Sequence, residues 1–291
     1  MLAAITCRFN PAGFSRPLVN FDRFRGVIEN QADLFVIELA HHGNPFSVRG
    51  SYIGMRTESV LWHKENLLNI LVNNLPPKYD TVAWVDSDII MPGGWVEKVE
   101  KALEKDRLVQ LFSSVEMLGH DDSVLSEFDS SSAMFDKSGR VHDPGIKGHP
   151  GLGWAAHREF FTEVGLFDKM IVGGGDEAAF YGAMGLIPWF AFDRIDYDFR
   201  GLAIDYVRRS FRYSNSRIGY IDQKIQHLWH GYQISRKYLL RQEILSEIDS
   251  TFLQYRTDGL MEWSDKATQP VKDYIANYFK SRQEDAHDND H

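Results

Sequence analysis

Up to residue 114 the chain alternates short apolar runs with segments whose apolar positions recur at helical spacing. That alternation restricts it to an α/β architecture with a mainly parallel sheet. "LAAITCRF" (2–9) and "LFVIELA" (34–40) read as buried strands. Residues 58–75 place Val60, Leu61, Leu67, Leu68, Leu71 and Leu75 on one helical face. A strand follows at 81–86, then a helix opened by Pro92 with Trp95, Val96, Val99 and Leu103 as its stripe, then a strand in "LVQLFSS" (108–114).

The strand at 81–86 ends in an unusual way. "VAWVDSDIIMP" (82–92) closes its apolar run with Asp86 and Asp88, separated only by Ser87. Strand periodicity would send both carboxylates to one face, where their repulsion favours a nearby cation. Ligands of open α/β sheets gather beyond the carboxyl ends of strands, which is where these acids fall.

The rest is less periodic. Residues 119–153, rich in Gly, Asp, Ser and His, read as a long loop region with a hairpin, and such loops inside compact domains are often functional. Residues 157–185 look helical at both ends around a glycine run, and 197–217 look helical again. Amphipathic helices are expected at 235–248 and 269–281, and a disordered tail in "EDAHDNDH" (284–291). The expected organisation is a domain over 1–245 and a helical C-terminal extension over 246–291.

Charge and cysteine content narrow the function classes. A net charge of -9 argues against a surface built for polyanions. The exception is "RRSFRYSNSR" (208–217), either a solvated helix face or a docking patch for phosphates or another anionic group. The single cysteine, Cys7, excludes an internal disulfide and a cysteine-rich zinc site. "MLAAIT" is too short for a signal core before Arg8, and no run approaches a membrane span, so the cytoplasm is the expected location.

Three stretches carry candidate chemistry. Asp86 and Asp88 either form a loop and cap a helix or suit a hard divalent cation shared with substrate phosphates. In "IVGGGDEAAF" (171–180), glycines allow close backbone approach, and Asp176 and Glu177 either cap a helix or supply a general base. In "HLWHG" (227–231), His227 and His230 are core histidines or ligands completing a metal site with carboxylates, for which Mn²⁺ is a better match than structural zinc.

Taken in order, "CRFNP", "KENLLN", "VAWVDSDIIMP", "GLGWAAHREFFTEVGLFD", "GGGDEAAF" and "HLWHG" resemble the GT-A-fold glycosyltransferases. The likeness is strongest to the family 2-like and galactosyltransferase-related enzymes of bacteria and phages. The resemblance implies a Rossmann-like nucleotide-sugar-binding fold with a mixed, mainly parallel sheet. It also implies a metal-dependent, inverting transfer of a sugar from a nucleoside diphosphate donor, expected to be a UDP sugar, to an acceptor hydroxyl. Acceptors in such families include glycans, lipid-linked glycans, proteins and modified DNA.

By the same resemblance, Asp88 and His230 bind Mn²⁺ or Mg²⁺, with His227 the alternative imidazole, and Asp86 contacts the ribose or a metal-bound water. Arg8 and Asn10 lie along the nucleoside, Lys64 closes its pocket, and Arg236 belongs to the basic stretch after Gly231. Gly153 and Trp154 contact donor or acceptor sugar. Asp176 is favoured over Glu177 as base; the choice stays open because the family's acidic pair occurs here in reversed order. Rival readings are a haloacid-dehalogenase-like phosphohydrolase, which also ends a strand in Asp-x-Asp, and a sugar nucleotidyltransferase, whose glycine-dense N-terminal loop "CRFNPAGFSRP" lacks.

Overall fold

The computed structural model describes residues 1–138, 148–187, 197–237, 244–245 and 247–286. The chain begins with β1 (Leu2–Phe9), α1 (Arg16–Ile28), β2 (Asp33–His41), β3 (Ile53–Thr57), α2 (Lys64–Asn73) and β4 (Thr81–Val85). It continues through β5 (Ile89–Ile90), α3 (Trp95–Leu103), β6 (Leu108–Gln110), β7 (Ser114–Leu118), β8 (Val124–Asp129) and α4 (Ser131–Ser138). Then come β9 (Gly153–His157), α5 (Glu159–Glu163), α6 (Gly175–Ala183), α7 (Tyr197–Ser214), β10 (Ile218–Tyr220) and β11 (Lys224–His227). A hairpin of β12 (Leu253–Tyr255) and β13 (Met261–Trp263) precedes α8 (Gln269–Ser281).

Seven strands form the main sheet in the order β10-β6-β9-β4-β1-β2-β3. Its pairs are parallel except at β9, which runs antiparallel to both β4 and β6. The expected mixed, mainly parallel α/β sheet flanked by helices is therefore present. Because β1 is buried on both faces, its side chains alternate between two cores. Ala3 and Ile5 join the cluster under α2, while Leu2 and Ala4 join the one under α1 and α3. Trp84 anchors the first of these, stacked 5.8 Å from Phe160 with the rings 6° from parallel.

Several boundaries differ from the sequence expectation. The helix expected over 58–75 starts only at Lys64, because the backbone before it crosses to the segment after α5, where the Trp62 amide donates to the Ile171 carbonyl at 2.9 Å. The helix expected from Pro92 starts at Trp95, after Gly94 takes a left-handed φ of 76° that only glycine adopts freely. "LVQLFSS" is two strands in two sheets: β6 stays in the main sheet, and β7 enters a second sheet of order β5-β11-β7-β8. Residues 119–153 hold the β7–β8 hairpin turn, α4 and the start of β9; 139–147 lie outside the described residues, as do 238–243 and 246 of the helix expected at 235–248.

The C-terminal part packs into the same core as the rest. Leu260, Met261, Ile275 and Phe279 share a cluster with Leu67, Leu71 and Trp84, and the Asn66 side chain bonds both Gly259 O and the Met261 amide at 3.0 Å. The tail expected to be disordered from 284 is docked at Glu284 to Ala286; 287–291 lie outside the described residues. Among the described residues, no helix is long and apolar enough to cross a membrane.

Candidate active site

β1 and β4 are parallel neighbours, so their carboxyl ends, Arg8 to Asn10 and Asp86, open onto one edge of the sheet. A cavity of about 970 Å³ lies there. The second sheet supplies its other wall. β5 pairs antiparallel with β11, matching Ile89 to His227, and the Leu228 amide donates to the Asp88 carbonyl at 2.8 Å. This two-residue ladder, absent from any local sequence pattern, brings Asp88 beside "HLWHG".

The two acids occupy different electrostatic surroundings. β4 ends at Val85, so Asp86 and Asp88 sit in the turn before β5 rather than on a strand. Asp86 Oδ1 meets Lys64 Nζ at 2.6 Å, and the same ammonium lies 2.7 Å from Asp176 Oδ2. The cation anticipated from the paired acids is, for Asp86, a lysine. Burial alone would lower the Lys64 pKa, but Asp176, Asp86 and Glu65 outweigh it and hold the group charged. Burial pushes Asp86 up, yet Lys64 brings it below the usual carboxylate range. For Asp176 burial prevails over Lys64, and its pKa is raised.

Asp88 faces imidazoles. Its Oδ2 lies 3.2 Å from His230 Nε2 and 3.8 Å from His227 Nε2, and the two Nε2 atoms are 3.0 Å apart. Burial, followed by the charge of Arg236, lowers His227 to about 3 and His230 to about 4, so both rings are neutral near pH 7. Asp88 Oδ1 is buried with no hydrogen-bond partner, and burial raises this carboxyl's pKa. An orphaned carboxylate oxygen beside two neutral imidazole nitrogens is a donor set suited to a divalent cation. One potential ligand atom from each of Asp88, His227 and His230 falls within 4.8 Å of the others, the one such group found among the described residues.

The remaining expected residues divide. Arg8, Asn10, Glu177 and Arg236 line the cavity. Asn10 is spent on its own loop, its amide donating to Phe14 O at 2.6 Å and its oxygen accepting from the Phe14 amide at 3.1 Å. Arg8 Nε donates to Ser47 Oγ at 2.9 Å. Arg236 lies on the His230 ring, with NH2 2.6 Å and 2.8 Å from its two nitrogens.

Gly153 and Trp154 do not line the cavity, which corrects the expectation that they touch a sugar. Both belong to β9: a Cβ on Gly153 would meet Leu111 at 2.9 Å, and Trp154 is fully buried with its indole donating to Pro150 O at 2.8 Å. The wall is formed by the segment just before them, where Gly151 packs so closely on Asp176 that a Cβ would lie 3.1 Å from Oδ2. None of residues 208–217 reaches the cavity. The cavity residues that were not anticipated include His149, in the turn-rich "HPG", and Arg282 and Glu284 from the segment after α8.

Burial of five histidines makes a pH prediction. His41, His149 and His230 are lowered to about 4, and His63 and His227 to about 3, in each case first by burial. As pH falls through the unfolded value of about 6.5, the unfolded chain gains protons that the fold refuses, so stability is full above that pH and lost toward pH 4. Glu65, raised to about 8 by burial, and Asp88 and Asp176, also raised by burial, oppose with at most one proton each. With each net proton contributing up to about 1.4 kcal/mol per pH unit, metal-free protein should lose several kcal/mol between pH 6.5 and pH 4.5. Urea unfolding at the two pH values measures this; equal stability would contradict it.

No protein-family model matches the chain, and no curated protein sequence matches it. Among solved structures, it is similar to glucosyl-3-phosphoglycerate synthase from Mycobacterium tuberculosis in complex with Mn²⁺, UDP-glucose and phosphoglyceric acid, at 14% identity and TM-score 0.43, covering 91% of this chain and 86% of that one. It is also similar to S. aureus TarS 1–349, at 8% identity and TM-score 0.42, covering 96% and 70%. A third likeness, to the catalytic domain of Drosophila β1,4-galactosyltransferase 7, has 12% identity and TM-score 0.29 over 61% and 58% of the two chains. Likeness at these levels assigns neither donor nor acceptor to this chain.

Proposed function

We propose that this chain is a metal-dependent glycosyltransferase that moves a sugar from a nucleoside diphosphate, a UDP sugar in the first instance, to an acceptor hydroxyl. The observation that carries the reading is the convergence of Asp88, His227 and His230 in one cavity with the Asp86–Lys64–Asp176 bridge. These residues come from four separated parts of the chain.

Asp88, His227 and His230 would hold the cation. Two imidazoles with one carboxylate favour Mn²⁺ over Mg²⁺, which prefers an all-oxygen shell. When bound, such a cation neutralises charge on the departing diphosphate.

The chain's own residues supply the rest. Arg8 and Arg236 place positive charge on the cavity wall near where phosphates would lie, and aromatic walls at Trp62, Phe180 and Phe279 give flat apolar surface for base or sugar. Asp176, its basicity raised by burial, is placed to take the acceptor's proton. The acceptor oxygen then bonds to the anomeric carbon as the carbon–oxygen bond to the diphosphate breaks, and attack from the face opposite the leaving group inverts the anomeric configuration. Lys64 keeps Asp176 aimed and offsets the negative charge of Asp86 beside the leaving diphosphate.

A thermal-shift screen of nucleotide sugars with and without Mn²⁺ tests the reading, because a ligand that binds only the folded state raises the melting temperature. The expected result is a shift of several degrees for at least one nucleotide sugar that requires the metal. Stabilisation by phosphomonoesters, with none by any nucleotide sugar, would favour the phosphohydrolase instead.

A further inference from the structure

The last described residues of the chain form a strap that enters the cavity. After α8, the Asp285 carboxylate accepts the amides of Ser15 and Arg16, at 3.0 Å and 2.7 Å, at the start of α1. Ala286 O accepts the Trp229 indole at 3.1 Å. Gly231, with φ at 90°, lies so close beneath the strap that a Cβ would fall 2.7 Å from Gln283 O. The strap is thus locked against the segment carrying His230, more than fifty residues earlier in the chain.

This docking delivers one carboxylate. Glu284 is buried, and its Oε1 lies 3.6 Å from His230 Nδ1, on the ring edge away from Asp88. Arg282 fixes that carboxylate with Nε at 2.7 Å and NH2 at 2.5 Å, and is itself held 5.0 Å above the Trp62 ring. Arg236 does not compete for the same edge. One NH2 lying within 2.8 Å of both ring nitrogens must sit against the face of the imidazole, since the two in-plane nitrogen directions point away from each other.

We propose that Glu284 is a positioning residue for His230: it holds the proton on Nδ1 and so leaves the Nε2 lone pair directed at Asp88 and His227. The inference rests on the metal-site reading above and extends it to the end of the chain. A carboxylate behind a ligating histidine fixes its tautomer and ring orientation, and loss of such a partner typically weakens metal binding by about 10- to 100-fold. Arg282 acts through Glu284, as the counter-ion that keeps it ionised in a buried place.

The test uses the full chain and Mn²⁺ alone. Titration by calorimetry should give a dissociation constant about 10- to 100-fold weaker in Glu284→Gln and Glu284→Ala than in the parent protein. The glutamine variant keeps the shape and an acceptor for Arg282 if the alanine variant misfolds. In metal-free protein, imidazole ¹⁵N spectra should show His230 protonated on Nδ1 in the parent and a mixture of tautomers in both variants, a change that loosened packing alone would not produce. Mn²⁺ affinity within twofold of the parent in a folded variant, or an Nε2-protonated His230 in the parent, overturns the proposal. Parent binding that depends on Asp88 but ignores Glu284 sinks this inference alone, whereas no Asp88-dependent binding in the parent removes the metal site with it.

Discussion

Asp88→Asn is expected to lower turnover by roughly 10³-fold and to abolish its response to Mn²⁺, while leaving the metal-free protein as stable as before or more so. The two halves follow from the same geometry. An ion that stabilises a departing diphosphate contributes several kcal/mol to the transition state, and each ~1.4 kcal/mol is tenfold in rate. In the metal-free fold, however, the Asp88 carboxylate is a liability. Its Oδ1 has no hydrogen-bond partner, and its neighbours at 3.2 Å and 3.8 Å are neutral rings. Removing a poorly compensated charge from a side chain that keeps only 22% of its surface in solvent costs little and can stabilise. Loss of function with unchanged or raised stability is the signature of a ligand; an equal loss of both would mark Asp88 as a structural residue. Nucleotide-sugar turnover with and without Mn²⁺, alongside urea unfolding of the metal-free proteins, separates these outcomes.

Lys64→Met should act in the opposite sense. A single ammonium, itself buried, serves two carboxylates at 2.6 Å and 2.7 Å, so its removal leaves Asp86 and Asp176 uncompensated together. Breaking one partner out of a buried ion pair costs about 3–5 kcal/mol. Because Asp86 and Asp176 each keep about a quarter of their side-chain surface in solvent, the expected loss here is about 3 kcal/mol. Adding Asp86→Asn to Lys64→Met should recover part of it, since one of the two stranded charges is then gone. A stability change below about 1 kcal/mol for Lys64→Met would show the bridge to be compensated by solvent. In the folded fraction, turnover should fall as well, because Asp176 loses the contact that aims it.

The strands β1, β2 and β4 and the helix α8 were legible in the sequence because their apolar periodicity is set locally and matches their burial. Helix starts were less so. Val60 and Leu61 fit the helical stripe of α2 but lie in the extended segment that hydrogen-bonds Ile171, a tertiary preference that outweighs a pattern of two residues. The candidate site shows the same division. Asp86, Asp88, Asp176, His227 and His230 were recognisable by residue type and spacing, and all line one cavity.

What spacing did not carry is which acid faces which cation. Asp-x-Asp suggested two carboxylates sharing one ion, whereas the turn after Val85 points Asp86 at Lys64 and Asp88 at the histidines. The family resemblance assigned Trp154 to a sugar, whereas its pairing with Trp84 in the β4–β9 ladder holds it in the core. Glu284 gave no signal at all, being one acid in an acidic tail whose docking depends on contacts with α1 and Trp229.

Diffraction at a wavelength sensitive to manganese, from crystals soaked in MnCl₂ and UDP, tests the metal centre most directly. An anomalous peak bounded by Asp88 and the Nε2 atoms of His227 and His230, adjoining diphosphate density, is the predicted result. UDP bound in the cavity with no peak among those three side chains would contradict it.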